Sequence, residues 1–233
     1  MSDNLISSNL NNVNVCFFHI EKCMGSSLRR ILYNYFKNIY DGEEIFLPEK
    51  YNNEYNLVSA KDFEFLNNKF YKVLLCHCNY NDEFTNSFSK NCFSITCVRN
   101  PIDRILSHYY FFNYSNEQKP LNELPEDKIK NYIEKFGSVI LLRLSGKTME
   151  LDIAFDNIKN INCILVFENI KTDLEQMNLL LNDKFNLNIK IENIIENETK
   201  INYNLFKEKD IGVINKHLDL IQDIKIYEFG RKI

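Results

Sequence analysis

A chain of 233 residues that is 45% hydrophobic has enough apolar matter to bury a core, and its length suits one globular domain. A net charge of −4 and a pI of about 5.7 exclude a broad electrostatic footprint for nucleic acid, so any anion site has to be local. No apolar run reaches the roughly 20 residues that span a bilayer, and the opening MSDNLISSNLNN lacks the basic start and apolar centre of a signal peptide. Residues 1–12 are therefore expected to be a poorly ordered tail and 13–233 a single domain. Seven cysteines, four of them (Cys16, Cys92, Cys97, Cys163) inside apolar runs, suit a reducing compartment better than a disulfide framework, and the expected location is cytoplasmic.

In chain order, strands are predicted at 13–18 (VNVCFF), more weakly at 55–59 (YNLVS), and then at 72–77 (KVLLCH), 92–98 (CFSITCV) and 162–167 (NCILVF). They are short and mostly apolar at both alternating positions, the pattern of strands covered on both faces. Helical patterns fall at about 26–38, 61–69, 101–113, 126–144 and 170–183, with a last one near 208–230. This alternation predicts a three-layer α/β domain with a mainly parallel central sheet. The polar stretch 114–128, with Pro120 and Pro125, reads as a surface loop or lid. In such sheets ligands bind beyond the carboxyl ends of the strands, which directs attention to the segments after residues 18, 77, 98 and 167.

Two of those places look built for anions. After Phe18 comes HIEKCMGSSLRR. Gly25 has no Cβ to obstruct a ligand, the amides from about Cys23 through Met24, Gly25 and Ser26 to Ser27 stand at a helix N-terminus, and Lys22 adds a positive charge. The alternative is a plain helix start, with Ser26 as cap and Lys22 solvated. After Val98 comes RNPIDRILSHYY. Asn100 suits a helix cap with Pro101 at the first position, Arg99 stands at the strand exit, and Ser107 lies about two turns further on. Arg99 and Ser107 would together grip a phosphate; the alternative is an Arg99–Asp103 surface pair.

The joint wording of these stretches is specific. FFHIEKCMGSSLRR resembles the 5′-phosphosulfate loop of the sulfotransferases, and SITCVRNPIDRILSHYYF resembles their 3′-phosphate motif. The likeness is greatest to carbohydrate sulfotransferases of the heparan sulfate 2-O-sulfotransferase type and their bacterial relatives. LLCHCNY, LLRLSG at 141–146, ILVFENIKTDLEQM at 164–177 and the C-terminal IKIYEFGRK come in family order, so the resemblance runs from residue 13 nearly to the end. It implies a P-loop-like fold and the co-substrate 3′-phosphoadenosine 5′-phosphosulfate (PAPS). Lys22, Cys23, Met24, Gly25, Ser26, Ser27, Arg99 and Ser107 would bind it. The expected acceptor is a hydroxyl of a glycan or glycolipid. Glu21 departs from the pattern, standing where the family usually has Pro.

Sulfuryl transfer needs a base for the acceptor hydroxyl. A histidine near neutral pKa suits that task, and by resemblance His77, at the end of strand 72–77, occupies the base position. Lys22 would face the charge that grows on the leaving oxygen. The alternative for His77 is a buried structural histidine, and His19, His108 and His217 are read as structural or surface. Cys76-His77-Cys78 lacks the paired spacing of a zinc site, so no metal is expected. Gly146-Lys147-Thr148 spells the end of a nucleotide-binding loop, but Leu141 occupies the position of its required glycine; it reads as a helix end capped by Gly146. Two other functions stay open: a P-loop-type nucleotide-dependent kinase, and an idle relative that binds nucleotide or glycan.

Overall fold

The computed structural model describes residues 13–46, 71–77, 79–80, 92–188, 190 and 206–232, without the side chains of 115 and 116. Five parallel strands form one sheet: β1 (Val15–Phe18), β2 (Ile45–Phe46), β3 (Val73–Cys76), β4 (Phe93–Val98) and β5 (Cys163–Val166), in the order β2-β3-β1-β4-β5. All pairings within it are parallel. β1, β3 and β4 are buried along their whole lengths; β1 and β3 are apolar throughout, and in β4 the buried Ser94 and Thr96 hydroxyls donate to Asn162 Oδ1 and the Phe18 carbonyl. Four of the five expected strands are thus present with slightly tighter ends. The expected strand 55–59 and helix 61–69 lie outside the described residues, as does the tail 1–12.

Helices pack on this sheet. In α1 (Gly25–Phe36), Leu28, Ile31, Leu32, Tyr35 and Phe36 recur at the spacing of one apolar face and are all buried. α2 (Pro101–His108) runs into a π-helical turn, Tyr109–Asn113, and then the short α3 (Tyr114–Glu117). The segment expected as an open loop at 114–128 is therefore partly helical, and Leu121 within it is fully buried. The long helix expected over 126–144 is two helices, α4 (Glu126–Phe136) and α5 (Val139–Ser145), broken at Gly137-Ser138. The break has a packing cause. A Cβ on Gly137 would lie 2.7 Å from the Ile133 carbonyl and 3.1 Å from that of Leu220, and the Asp223 carboxylate accepts the amides of Ile140 (2.9 Å) and Leu141 (2.8 Å) to start the second helix.

Beyond α5 lie α6 (Leu151–Lys159), which the apolar pattern missed because it buries only Ala154 and Ile158, and α7 (Ile170–Phe185). The helix expected near 208–230 is likewise two, α8 (Lys207–Ile214) and α9 (Asp223–Gly230), separated by a 3₁₀ stretch. The core has two parts. One surrounds the sheet with α1, α5, α6 and α7; the other joins α2, the π-turn, α4 and α8. Arg104 of α2 is wholly buried beside the boundary, donating to the Phe136 carbonyl and to Asp223 at 3.3 Å.

Candidate active site

The strand order β2-β3-β1-β4-β5 places the topological switch point at β1, and α/β sheets bind ligands in the crevice beyond the carboxyl ends of the strands there, here β1 and β4. The loop after β1 and the turn after β4 both border it, and a direct hydrogen bond joins them: Arg99 Nη1 donates to the Lys22 carbonyl at 3.2 Å. The Arg99 guanidinium also lies 4.2 Å from the centre of the Phe167 ring, while its buried Nε has no partner among the described residues. Asp103 pairs instead with Lys207 at 2.7 Å, which replaces the Arg99–Asp103 alternative.

The loop after β1 is unusual in backbone. Lys22 (φ 63°) and Met24 (φ 62°) both adopt the left-handed conformation without being glycine, a cost of roughly 1–2 kcal/mol each. Alternation of this kind points successive amides into one concavity, a form suited to anions. The Cys23 amide, however, donates to the Ile20 carbonyl at 3.3 Å and closes the turn, and the first helical bond runs from Leu28 N to Met24 O. The expected cradle from Cys23 to Ser27 therefore narrows to the amides beyond Cys23. The Cys23 thiol is buried and pushed up to about 12. Burial, with the Arg99 charge second, lowers the Lys22 ammonium to about 8. Its Nζ rests 3.6 Å from the centre of the Phe111 ring and 5.9 Å from that of Phe112.

Gly25 has a second reason to be glycine. A Cβ there would fall inside the imidazole of His19, which is buried beneath the start of α1. The parallel register explains where that ring comes from. Phe18 pairs with Cys76, and the His19 amide continues the ladder to the Cys76 carbonyl at 3.1 Å. The next residue on each strand is a histidine, and the two rings meet with centres 3.7 Å apart.

That contact fixes the state of His77. Its Nδ1 lies 3.2 Å from the His19 carbonyl oxygen, which can only accept, so Nδ1 carries the proton. Nε2 is left as the lone-pair atom, buried and without a partner among the described residues. Burial lowers the His77 pKa to about 4 although the Glu21 carboxylate opposes the shift, so the ring is neutral at pH 7. His19 is lowered too, by burial first and then by His77.

Glu21 does not stand in the loop after β1 as a bare charge. It receives two hydrogen bonds from Arg143 of α5, from Nε at 3.1 Å and from Nη2, while Arg143 Nη1 donates to Asn79 Oδ1 at 2.9 Å. Burial pushes the Glu21 carboxyl up, but the Arg143 contacts outweigh it and hold the group below its usual range.

Sequence reading missed this pair because an arginine in the last turn of a helix is favoured by the helix dipole in any case. In the aromatic run that follows α2, Tyr109 and Tyr110 are buried, whereas Phe111 and Phe112 are exposed at the π-turn. Glu168, just after β5, accepts the Asn100 amide at 2.8 Å and the Tyr227 hydroxyl at 2.9 Å. Gly146 does end α5, with φ 66°. Ser107 is buried on α2, and no contact among the described residues ties its hydroxyl to Arg99.

Comparison with known proteins decides the class: the model of the sulfotransferase family matches residues 11–219. The chain belongs to the sulfotransferase family. None of the curated proteins matches it. The all-parallel sheet flanked by helices agrees with the P-loop-like fold expected of a sulfotransferase. Among the described residues no helix is long and apolar enough to cross a membrane.

Proposed function

We propose that this sulfotransferase moves the sulfuryl group of PAPS to a hydroxyl of a carbohydrate acceptor, with His77 as general base and Lys22 facing the leaving oxygen. The observation that carries the reading is His77 Nε2, whose lone pair is left free by the Nδ1–H bond to the His19 carbonyl, at the end of the strand beside the loop after β1. Family membership supports the reaction class, and the likeness of the two loop motifs to carbohydrate sulfotransferases supports the donor and the acceptor class.

The donor supplies an activated sulfur whose bond to the 5′-phosphate oxygen breaks as the bond to the acceptor oxygen forms. The protein's part rests on its own groups. His77 Nε2 takes the acceptor proton, and the Nδ1–H bond to the His19 carbonyl fixes the tautomer in which Nε2 is free to do so. The imidazole is neutral at pH 7, so no proton has to be lost first. A pKa of about 4 nevertheless makes it a weaker base than the near-neutral histidine expected from the sequence, because burial disfavours its charged form. The first-turn amides of α1 and the Lys22 ammonium stabilise the anionic end of the donor, Lys22 most of all as charge grows on the departing oxygen. Arg99, with its unpartnered Nε, and Ser107 would hold the 3′-phosphate at the adjoining turn.

The test combines labelled PAPS, a glycan panel and calorimetry with the product nucleotide 3′-phosphoadenosine 5′-phosphate (PAP). His77→Ala is expected to lower transfer by about 10²- to 10⁴-fold while PAP binding changes little. Full transfer in His77→Ala would overturn the base assignment.

A further inference from the structure

Arg143 joins two pieces of chain that the reaction needs in register. Its side chain holds Glu21, the neighbour of Lys22 in the anion loop, and Asn79, two residues beyond His77. Its backbone carbonyl accepts the amide of Tyr80 at 2.7 Å. The guanidinium is 5% exposed, and burying such a charge is tolerable only when its donors are met. Here Nε and Nη2 go to Glu21 and Nη1 goes to Asn79. A two-point fork also fixes direction, which a lysine in its place would not.

The anchor is itself held at both ends. The Asp223 carboxylate grips the first amides of α5, and Gly146 terminates the helix immediately after Ser145. Across from Arg143, the two strand ends meet through the packed rings of His19 and His77. From these contacts we infer that Arg143 is a positioning residue, with Glu21 and Asn79 as its two grips: it straps the base-bearing segment after β3 to the anion loop after β1. The role of the strap in catalysis rests on the function proposed above. Its geometry does not.

The strap also gives Glu21 a purpose. A carboxylate one residue from Lys22 would repel an anionic donor if it stood alone. Paired with Arg143 it adds no net charge, and it supplies the only grip on the anion-loop side of the strap among the described residues.

The test uses the whole chain with ¹³C-labelled histidine, whose four residues can be assigned by single substitutions. The readout is the cross-relaxation peak between the His19 and His77 rings, together with the His77 ring shifts. Arg143→Gln is expected to lose the peak and move the His77 signals. Arg143→Glu alone should do the same, and the charge swap Glu21→Arg with Arg143→Glu should restore the peak. A folded Arg143→Gln protein with unchanged His77 signals would overturn the inference, as would a swap that restores nothing. If Arg143→Gln does not fold, Glu21→Gln decides by the same peak: weakening supports the strap and no change contradicts it. PAP titration of the unsubstituted protein runs in parallel. Its failure would remove the sulfotransfer reading while leaving the histidine result to judge the strap.

Discussion

The loop after β1 and the turn after β4 border the same crevice but are built by different rules. The turn after β4 is capped locally, although Glu168 and Lys207 also reach it from far along the chain. Asn100 Oδ1 accepts the amides of Ile102 (3.0 Å) and Asp103 (3.3 Å), Pro101 occupies the first helical position, and Asp103 lies in the first turn. The loop after β1 has no side-chain cap and carries two left-handed residues that are not glycine. Packing holds it instead: within the loop the His19 ring lies against Gly25, and from far along the chain come Arg143 on Glu21, Phe111 under Lys22 and Arg99 on the Lys22 carbonyl. A helix start that obeys short-range preferences persists by itself, whereas a strained one depends on the whole fold.

The largest effect expected from this contrast is at Gly25. In Gly25→Ala the new methyl group collides with the His19 imidazole, itself packed on His77, so neither ring has an easy retreat. A loss of about 3 kcal/mol in chemical denaturation is expected, along with loss of PAP binding. An unchanged midpoint would mean that the loop tolerates rearrangement and is not held from outside.

Next comes Arg99→Ala, which removes a charge from the crevice and the bond between the two turns. About 2 kcal/mol of PAP affinity should disappear, roughly a 30-fold weaker Kd by calorimetry. On the local side, Asn100→Ala should cost about 1 kcal/mol of stability, the ordinary worth of a cap. Asn100→Asp should recover most of it. A cost at Asn100 as large as that at Gly25 would erase the distinction between the two turns.

The smallest effect concerns pH. The Lys22 ammonium is lowered to about 8, by burial first and by Arg99 second. Only its charged form attracts an anion, so PAP affinity should fall as pH rises through about 8, by up to about fivefold. The dependence should vanish in Lys22→Met. If it persists there, another group is titrating.

This contrast also explains how much of the molecule the sequence disclosed. The strand cores were legible because a parallel sheet buried on both faces favours short, mostly apolar runs; β1, β3 and β5 are wholly apolar, and β4 is interrupted only by Ser94 and Thr96. Asn100-Pro101 was legible because caps are written in adjacent residues. The split of 126–144 was not, since Gly137 is confined by Leu220 and Asp223 caps α5 from far along the chain. Gly25 was noticed, but its clash with His19 appears only once the register of β1 and β3 sets two histidines side by side. The Glu21–Arg143 pair spans 122 residues, and no local pattern signals it. Its one trace in the sequence was a carboxylate where an anion loop should have none.

The central claim is that the two turns form one site for a nucleotide bearing separate 5′ and 3′ anions. Calorimetric titration with PAP, with ATP as the control, tests it most directly. Micromolar or tighter PAP binding without a divalent metal, no comparable heat from ATP, and clear weakening in Arg99→Ala are expected. Absence of PAP binding to the folded protein, or ATP binding equally well, would contradict it.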